Sequence, residues 1–366
     1  MKTFREKGSL GINPRLLIAL YNLKPEQVPK HPTSSQLQGL NVKRISKAMK
    51  DYPREVVANY LELTCQTCGK TGQYDAGLLS FNIRKFNDKA AVDFFEQDSL
   101  KLNILEYSQF TGYFRCYYCN DAGKWLLTPE TDEAIKKEFL YAFITLKENS
   151  NLKQKNPIVF NEIAYDGGRI KPRWATDAEQ HFLDILEKKP NDSYRWNRLG
   201  NLYFKGRRFD LAFAAFEKSL EVDPKQVESL FSLGKIFFWV GDDEKAKHFF
   251  RQVILYACSY RHLGKEKMKE MLAASMQALL QACSSPKEFA AILPMAEEII
   301  TSNNLRGKNI DSKMHDEIGI ELDSERSESF LPLAEIYLFE QAGAQKETAA
   351  KKGPQKKSKK RSKRKK

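Results

Sequence analysis

Four of the six cysteines fall in two Cys-x-x-Cys pairs, Cys65-Gln66-Thr67-Cys68 and Cys116-Tyr117-Tyr118-Cys119. A Cys-x-x-Cys bend delivers two soft sulfur ligands from one tight turn, and two such bends supply the tetrahedral shell of a structural zinc ion. A catalytic zinc keeps one coordination position open and often uses histidine, whereas four thiolates close the shell. The expectation is therefore one structural Zn2+ on Cys65, Cys68, Cys116 and Cys119. The residue after each pair agrees, because such a knuckle needs a left-handed backbone just past its second cysteine. Gly69 and Asn120 are among the residues that tolerate it best. Zinc binding in small domains is worth on the order of 10–16 kcal/mol, enough to make the ion the main stabiliser of its region.

The alternatives fit less well. A redox-active Cys-x-x-Cys opens a helix after a strand, and a pair of disulfides belongs to a secreted domain. The flanks here, Val56 to Thr64 and Leu100 to Arg115, are β-branched and aromatic, which suits knuckles on hairpins. The pattern resembles a zinc ribbon, and the 47 residues between Cys68 and Cys116 exceed the usual gap of roughly 15–20. A zinc-ribbon-like domain here must carry an insertion.

The second signal is a repeat. Trp196-Asn197-Arg198-Leu199-Gly200-Asn201-Leu202-Tyr203, followed by Ala212, Phe216 and Pro224, resembles the tetratricopeptide repeat (TPR), whose period is 34 residues. One period on stand Leu230, Leu233, Gly234, Phe237, Ala246 and Phe250; one period back, Ala178, Phe182 and Pro190 mark a half repeat. Small residues at Gly200, Ala212, Gly234 and Ala246 let paired helices approach, and aromatics fill the space between hairpins. Turns are expected at Gly206-Arg207-Arg208 and Gly241-Asp242-Asp243, with Lys265 to Ala282 and Pro286 to Ile300 capping the stack.

The resemblance implies a concave groove that takes an extended peptide or a partner helix. The positions matching that groove are Asn197, Asn201 and Phe204 in the first repeat and Phe231, Lys235 and Phe238 in the second. Asn197, Asn201, Phe204 and Lys235 are the expected partner-binding residues. Asn197 and Asn201 lie one helical turn apart, so both amides could face a peptide backbone. Asn201 matches the asparagine of the chaperone-tail clamp of some TPR proteins, but Asn197 stands where that clamp has lysine and Ser232 where it has a second asparagine. Phe231, Phe238 and Trp239 form an apolar stripe at helical spacing, which is usually core.

No enzyme is expected. Gly69-Lys70-Thr71 resembles the end of a phosphate loop, but Thr64 occupies the place of its first glycine. No G-x-G-x-x-G, H-E-x-x-H or G-x-S-x-G occurs, and none of His31, His181, His248, His262 and His315 belongs to a metal or catalytic motif. Cys258 and Cys283 read as small buried hydrophobes.

Of the net charge of +13, the segment 351–366 carries +11, leaving +2 on the first 350 residues. Such a segment is too charged to fold and binds polyanions by counterion release, so nonspecific nucleic-acid contact is expected there. No apolar run reaches the ~18 residues of a membrane span, and paired thiols without an export signal argue for a cytoplasmic protein.

The fold expected is multidomain α+β. Residues 1–53 form an N-terminal helical segment, 54–129 a zinc-ribbon-like β-rich domain, and 130–172 a connecting helix and short β element. TPR-like helical hairpins follow over 173–301, then a mobile loop over 302–327, a helix over 328–343 and a disordered basic tail over 344–366. Within this plan Asn13-Pro14 starts a first helix, Thr131-Asp132 caps another, and Ile158-Val159-Phe160 is a strand. The function expected is a non-enzymatic adaptor holding a protein or peptide in the TPR groove. The alternative is a nucleic-acid- or ribosome-associated factor, decided by whether Tyr117 and Tyr118 stand exposed beside Lys124 and Arg115.

Overall fold

The computed structural model describes residues 11–54, 57–82, 103–147, 158–305 and 322–338. The architecture is α+β: two small sheets precede a stack of helices. The chain divides into two compact units, Met1–Ser229 and Leu230–Lys366. The boundary falls inside the expected repeat domain, so residues 54–129, the 130–172 connection and the first repeat share one unit.

The first unit opens with α1 (Pro14–Tyr21) and α2 (Leu40–Ala48). Asn13 caps α1 as expected, its side chain accepting from the Arg15 N–H at 3.0 Å. Strands β1 (Tyr60–Cys65), β2 (Thr71–Asp75), β3 (Leu79–Phe81), β4 (Ser108–Phe110) and β5 (Trp125–Leu127) follow. Helix α3 spans Pro129–Lys147. Its start lies earlier than expected: Thr128, not Thr131, supplies the capping hydroxyl to the Thr131 N–H at 3.3 Å, and Pro129 takes the first helical position.

Strand β6 (Ile158–Val159) completes the β part. One sheet has the order β2-β1-β5 and is antiparallel; the other has the order β4-β3-β6, with β6 parallel to β3. The insertion between the two cysteine pairs thus builds a second sheet, and the strand expected to link two domains is its edge. Both sheets share one core, in which Leu63, Tyr74, Phe81, Phe110, Phe114, Trp125 and Phe139 meet Trp174. Phe139 of α3 lies 4.1 Å from Phe81, ring centre to ring centre.

Helices α4 (Ala175–Lys188), α5 (Ser193–Lys205), α6 (Phe209–Val222), α7 (Val227–Trp239) and α8 (Asp243–Tyr256) form the repeats. A Cβ on Gly200 would stand 2.5 Å from the Phe216 ring, and one on Gly234 would stand 2.7 Å from the Phe250 ring. The two close approaches are 34 residues apart, as the period requires. The turns repeat too. Arg207 (φ 59°) and Gly241 (φ 71°) are both left-handed, and the N–H groups of Arg208 and Asp242 close the turns on Tyr203 and Phe237, each at 2.9 Å.

In the second unit α9 (Lys265–Ala282) follows, then α10 (Pro286–Ile292) and α11 (Ala296–Ser302). The single helix expected over 286–300 is broken where Pro294 removes an N–H donor. Helix α12 (Leu331–Ile336) docks on α9, with Lys269 2.9 Å from Glu335. The basic segment and residues 306–321 of the expected loop lie outside the described residues.

Candidate metal centre and repeat helices

The two knuckles are built alike. β1 ends at Cys65, whose N–H donates to the Lys70 carbonyl at 3.0 Å while the Gly69 N–H returns to Cys65 at 2.8 Å. Before β5, the Cys116 N–H donates to Asp121 at 2.8 Å and the Asn120 N–H returns to Cys116 at 2.9 Å. Closing each loop requires a left-handed residue, and Gly69 (φ 70°) and Asn120 (φ 58°) supply it. The Cys65–Trp125 strand pairing brings the knuckles together, and Thr67 bonds to Asp121 between their tips.

All four sulfurs lie within 4.8 Å of one another. Cys65 and Cys119 are 3.7 Å apart, and Cys68 and Cys116 are 3.6 Å apart. Four sulfurs at ~2.3 Å from one tetrahedral ion lie about 3.8 Å from each other, whereas a disulfide needs ~2.05 Å. The donor set therefore fits a metal ion, and no cysteine is cross-linked. Burial pushes the Cys119 thiol up to about 12 and raises Cys65 as well, while the Lys70 N–H draws Cys68 down. A bound cation overcomes the burial of Cys65 and Cys119 by displacing their protons.

An aromatic floor supports the centre. Tyr74 is fully buried, packed 4.6 Å from Trp125 and 5.0 Å from Phe114. Burial and the adjoining Cys116 sulfur raise its phenol far above the usual range. Tyr117 stacks on Tyr74 at 4.5 Å with 42% of its surface exposed, and Tyr118, 54% exposed, lies 4.7 Å beneath the Lys70 ammonium. Lys124 is exposed at the same end. Arg115 turns the other way, 3.3 Å from Glu179.

Glu179 of α4 is the residue that the sequence reading missed. Fully buried, it accepts from Asn13 Nδ2 at 2.9 Å and from the Tyr113 and Tyr203 hydroxyls at 2.7 Å each, besides Arg115. Four donors from three segments converge on one carboxylate, and a buried carboxylate needs this many donors. The available signal was its place on the apolar face of α4, between Ala178 and Phe182. The second knuckle is held from the other side by Asn120, whose Nδ2 donates to the Ile12 carbonyl at 2.9 Å.

The expected partner-binding residues separate. Asn197 is corrected: it is fully buried, donates to Ser229 Oγ at 2.9 Å, and accepts from Asn201 Nδ2 at 3.0 Å and Arg198 Nη2 at 2.7 Å. Its amide satisfies neighbouring helix polar groups and cannot face a peptide. Phe204 is half-buried, with its ring edge-on to Tyr52 at 5.4 Å and Phe209 at 5.2 Å. Asn201 is half-buried. Lys235 is exposed over Phe231 at 5.5 Å, and Trp239, expected as core, is 42% exposed.

Among the described residues no helix is long and apolar enough to cross a membrane. No curated protein matches the chain. Residues 193–226, which comprise α5, α6 and the turn after them, match the tetratricopeptide repeat family, so the chain carries a TPR repeat there beside a four-cysteine cluster able to hold a metal ion.

Proposed function

We propose that this chain is a non-enzymatic adaptor in a reducing, cytoplasmic compartment, with its repeat helices presented to a protein or peptide partner on a scaffold fastened by structural zinc. The observation that carries the reading is the repeated hairpin with its matched glycine–phenylalanine contacts, since TPR repeats generally serve protein–protein contact. Zinc is the metal best suited to four thiolates in a closed tetrahedron, and the twin knuckles on a small antiparallel sheet support a zinc-ribbon-like arrangement. Burial of Asn197 moves the proposed partner face to the exposed Lys235 and Trp239 of the second unit. A photo-crosslinking amino acid at position 235, compared with one at the exposed His248, tests this in cells. One defined protein captured at 235, lost from Lys235→Glu, is the expected result; capture that is equal at both positions or nucleic acid alone overturns it.

A second reading rests on the knuckle tips. Tyr117 and Tyr118 are exposed beside Lys70 and Lys124, which favours single-stranded nucleic acid stacking on fixed aromatics. Arg115, occupied with Glu179, is not part of that surface. Tyr117→Ala with Tyr118→Ala should weaken oligonucleotide binding about tenfold or more at high salt, where contacts of the 351–366 segment are screened. Unchanged affinity rejects this reading.

A further inference from the structure

The turn inside the first hairpin carries an arginine where its repeat equivalent is glycine. Arg207 holds φ 59°, a conformation that side-chain-bearing residues rarely adopt; Gly241, one period on, holds φ 71° without penalty. The guanidinium of Arg207 donates to the carbonyls of Tyr52 at 2.8 Å and Pro53 at 3.3 Å and lies 5.2 Å from the Phe209 ring centre. Among the described residues it forms no ion pair. The residue after Pro53 is Arg54, a second guanidinium, with Nη1 2.7 Å from Asp75 Oδ2.

The other oxygen of Asp75 accepts from the Gly77 N–H at 3.2 Å. Asp75 therefore pairs with Arg54 alone and has both oxygens engaged, while Arg207 rests on two neutral carbonyls, leaving a net positive charge at a half-open surface. Burial and the charge of Arg54 both push the Arg207 guanidinium down, as expected of like charges held together. Tyr60, directly opposite Asp75 in the strand pair, is 58% exposed and offers a phenol O–H. Exposed Lys205 lies two residues before Arg207.

We propose that Arg54, Arg207 and Tyr60 form an oxyanion subsite, for a phosphate or carboxylate group, between the β1–β2 hairpin and the turn of the first repeat. Planar guanidinium forks match the paired oxygens of either group, and a bound anion relieves the repulsion that the fold holds in place. The subsite stands apart from the adaptor reading: it needs no protein partner, and either can fail alone.

The test is the melting temperature of the full chain in millimolar inorganic phosphate or acetate, with chloride holding ionic strength constant. A ligand that binds only the folded state raises Tm saturably; the expected rise is about 2–4 °C. It should vanish in Arg207→Gly, which keeps the turn by adopting the residue of the second repeat, and shrink in Arg54→Gln and Tyr60→Phe. All variants retain the basic 351–366 segment, so the difference between them reads the subsite. Phosphate response without acetate response identifies a phosphoryl ligand, acetate response without phosphate response a carboxylate, and equal response a subsite that takes either oxyanion. An equal rise in wild type and Arg207→Gly, as general salting effects would give, overturns the proposal, as does no rise with either anion. If Arg207→Gly melts without cooperativity, 31P line broadening of phosphate by wild type against Tyr60→Phe decides in its place, and identical broadening rejects the subsite.

Discussion

The two 34-residue repeats have one skeleton and opposite surroundings. In the first, Tyr203 reaches Glu179, Gly206 lies against the Tyr113 backbone, and buried Arg208 binds Asp210 and the Gly11 carbonyl. In the second, Gly241 and Asp243, one period on from Arg207 and Phe209, are exposed, Asp242 at the place of Arg208 is half-buried and caps its own helix, and a Cβ on Gly241 would meet open space. A repeat is a unit of packing, and its use depends on what its turn and outer face meet. The first repeat is the mount for the cysteine-bearing sheets; the second keeps Lys235 and Trp239 exposed.

Metal removal is the largest expected way to sharpen that contrast. Cys116→Ser forfeits binding on the order of 10 kcal/mol, comparable with the whole stability of a domain at roughly 5–15 kcal/mol. Since Arg115 and Asn120 flank the second knuckle and hold Glu179 and Ile12, the damage should spread beyond the sheets into α1, α4 and α5. Hydrogen exchange should show protection lost across these helices and retained over residues 265–282. Loss confined to residues 57–82 and 103–128 would mean that the mount is not coupled to the metal.

Next in size is the buried carboxylate. Glu179→Ala leaves Arg115 and two tyrosine hydroxyls unpaired in the interior, and breaking such a buried pair costs about 3–5 kcal/mol. The second unit offers a surface counterpart: Glu298 clasps Arg251 through two bonds of 2.7 and 2.6 Å, with about a third of each side chain exposed. Its removal should cost roughly 1 kcal/mol or less. Equal denaturant midpoints for the two variants would erase the distinction between mount and free repeat.

What the sequence made legible follows from range. The cysteine pairs and their left-handed followers are set within six residues, and both knuckles form as the pattern requires. The 34-residue frame is also local, so the hairpins and turns were readable from Gly200, Phe216, Gly234 and Phe250. Glu179 was not, because Asn13 and Tyr113 lie 166 and 66 residues away in sequence. Asn197 shows the same limit: helical position places it toward a groove, but Ser229 decides what it meets. Local chemistry was legible, and the long-range partner was not.

The helix-crossing glycines should make the repeats look alike again. Gly200→Ala and Gly234→Ala each force a methyl group to within 3 Å of a phenylalanine ring, an overpacking cost of about 1–3 kcal/mol offset by roughly 1 kcal/mol of helix propensity. Both should be destabilising by similar small amounts in denaturant melts. A large cost in the first repeat alone would show that surroundings alter even the shared skeleton.

Acid separates the regions by the smallest margin. In the first unit, burial pushes the Asp210 carboxylate up, but the charge and bonds of Arg208 and the Ser34 hydroxyl hold it below its ordinary range. In the second, bonds from Lys247 and then Ser284 lower Glu288 to about 2. A depressed carboxylate contributes stability above its unfolded pKa, here about 4, and loses it as pH falls through the folded value. The Tm difference between wild type and Glu288→Gln should therefore be constant above about pH 5 and close as pH falls from about 4 towards 2. Asp210→Asn should follow the same course with a larger difference, since it strands Arg208 in the interior while Lys247 keeps Glu244 as a partner. A Glu288→Gln difference that persists unchanged at pH 2 would show that the side chain acts through shape and not charge.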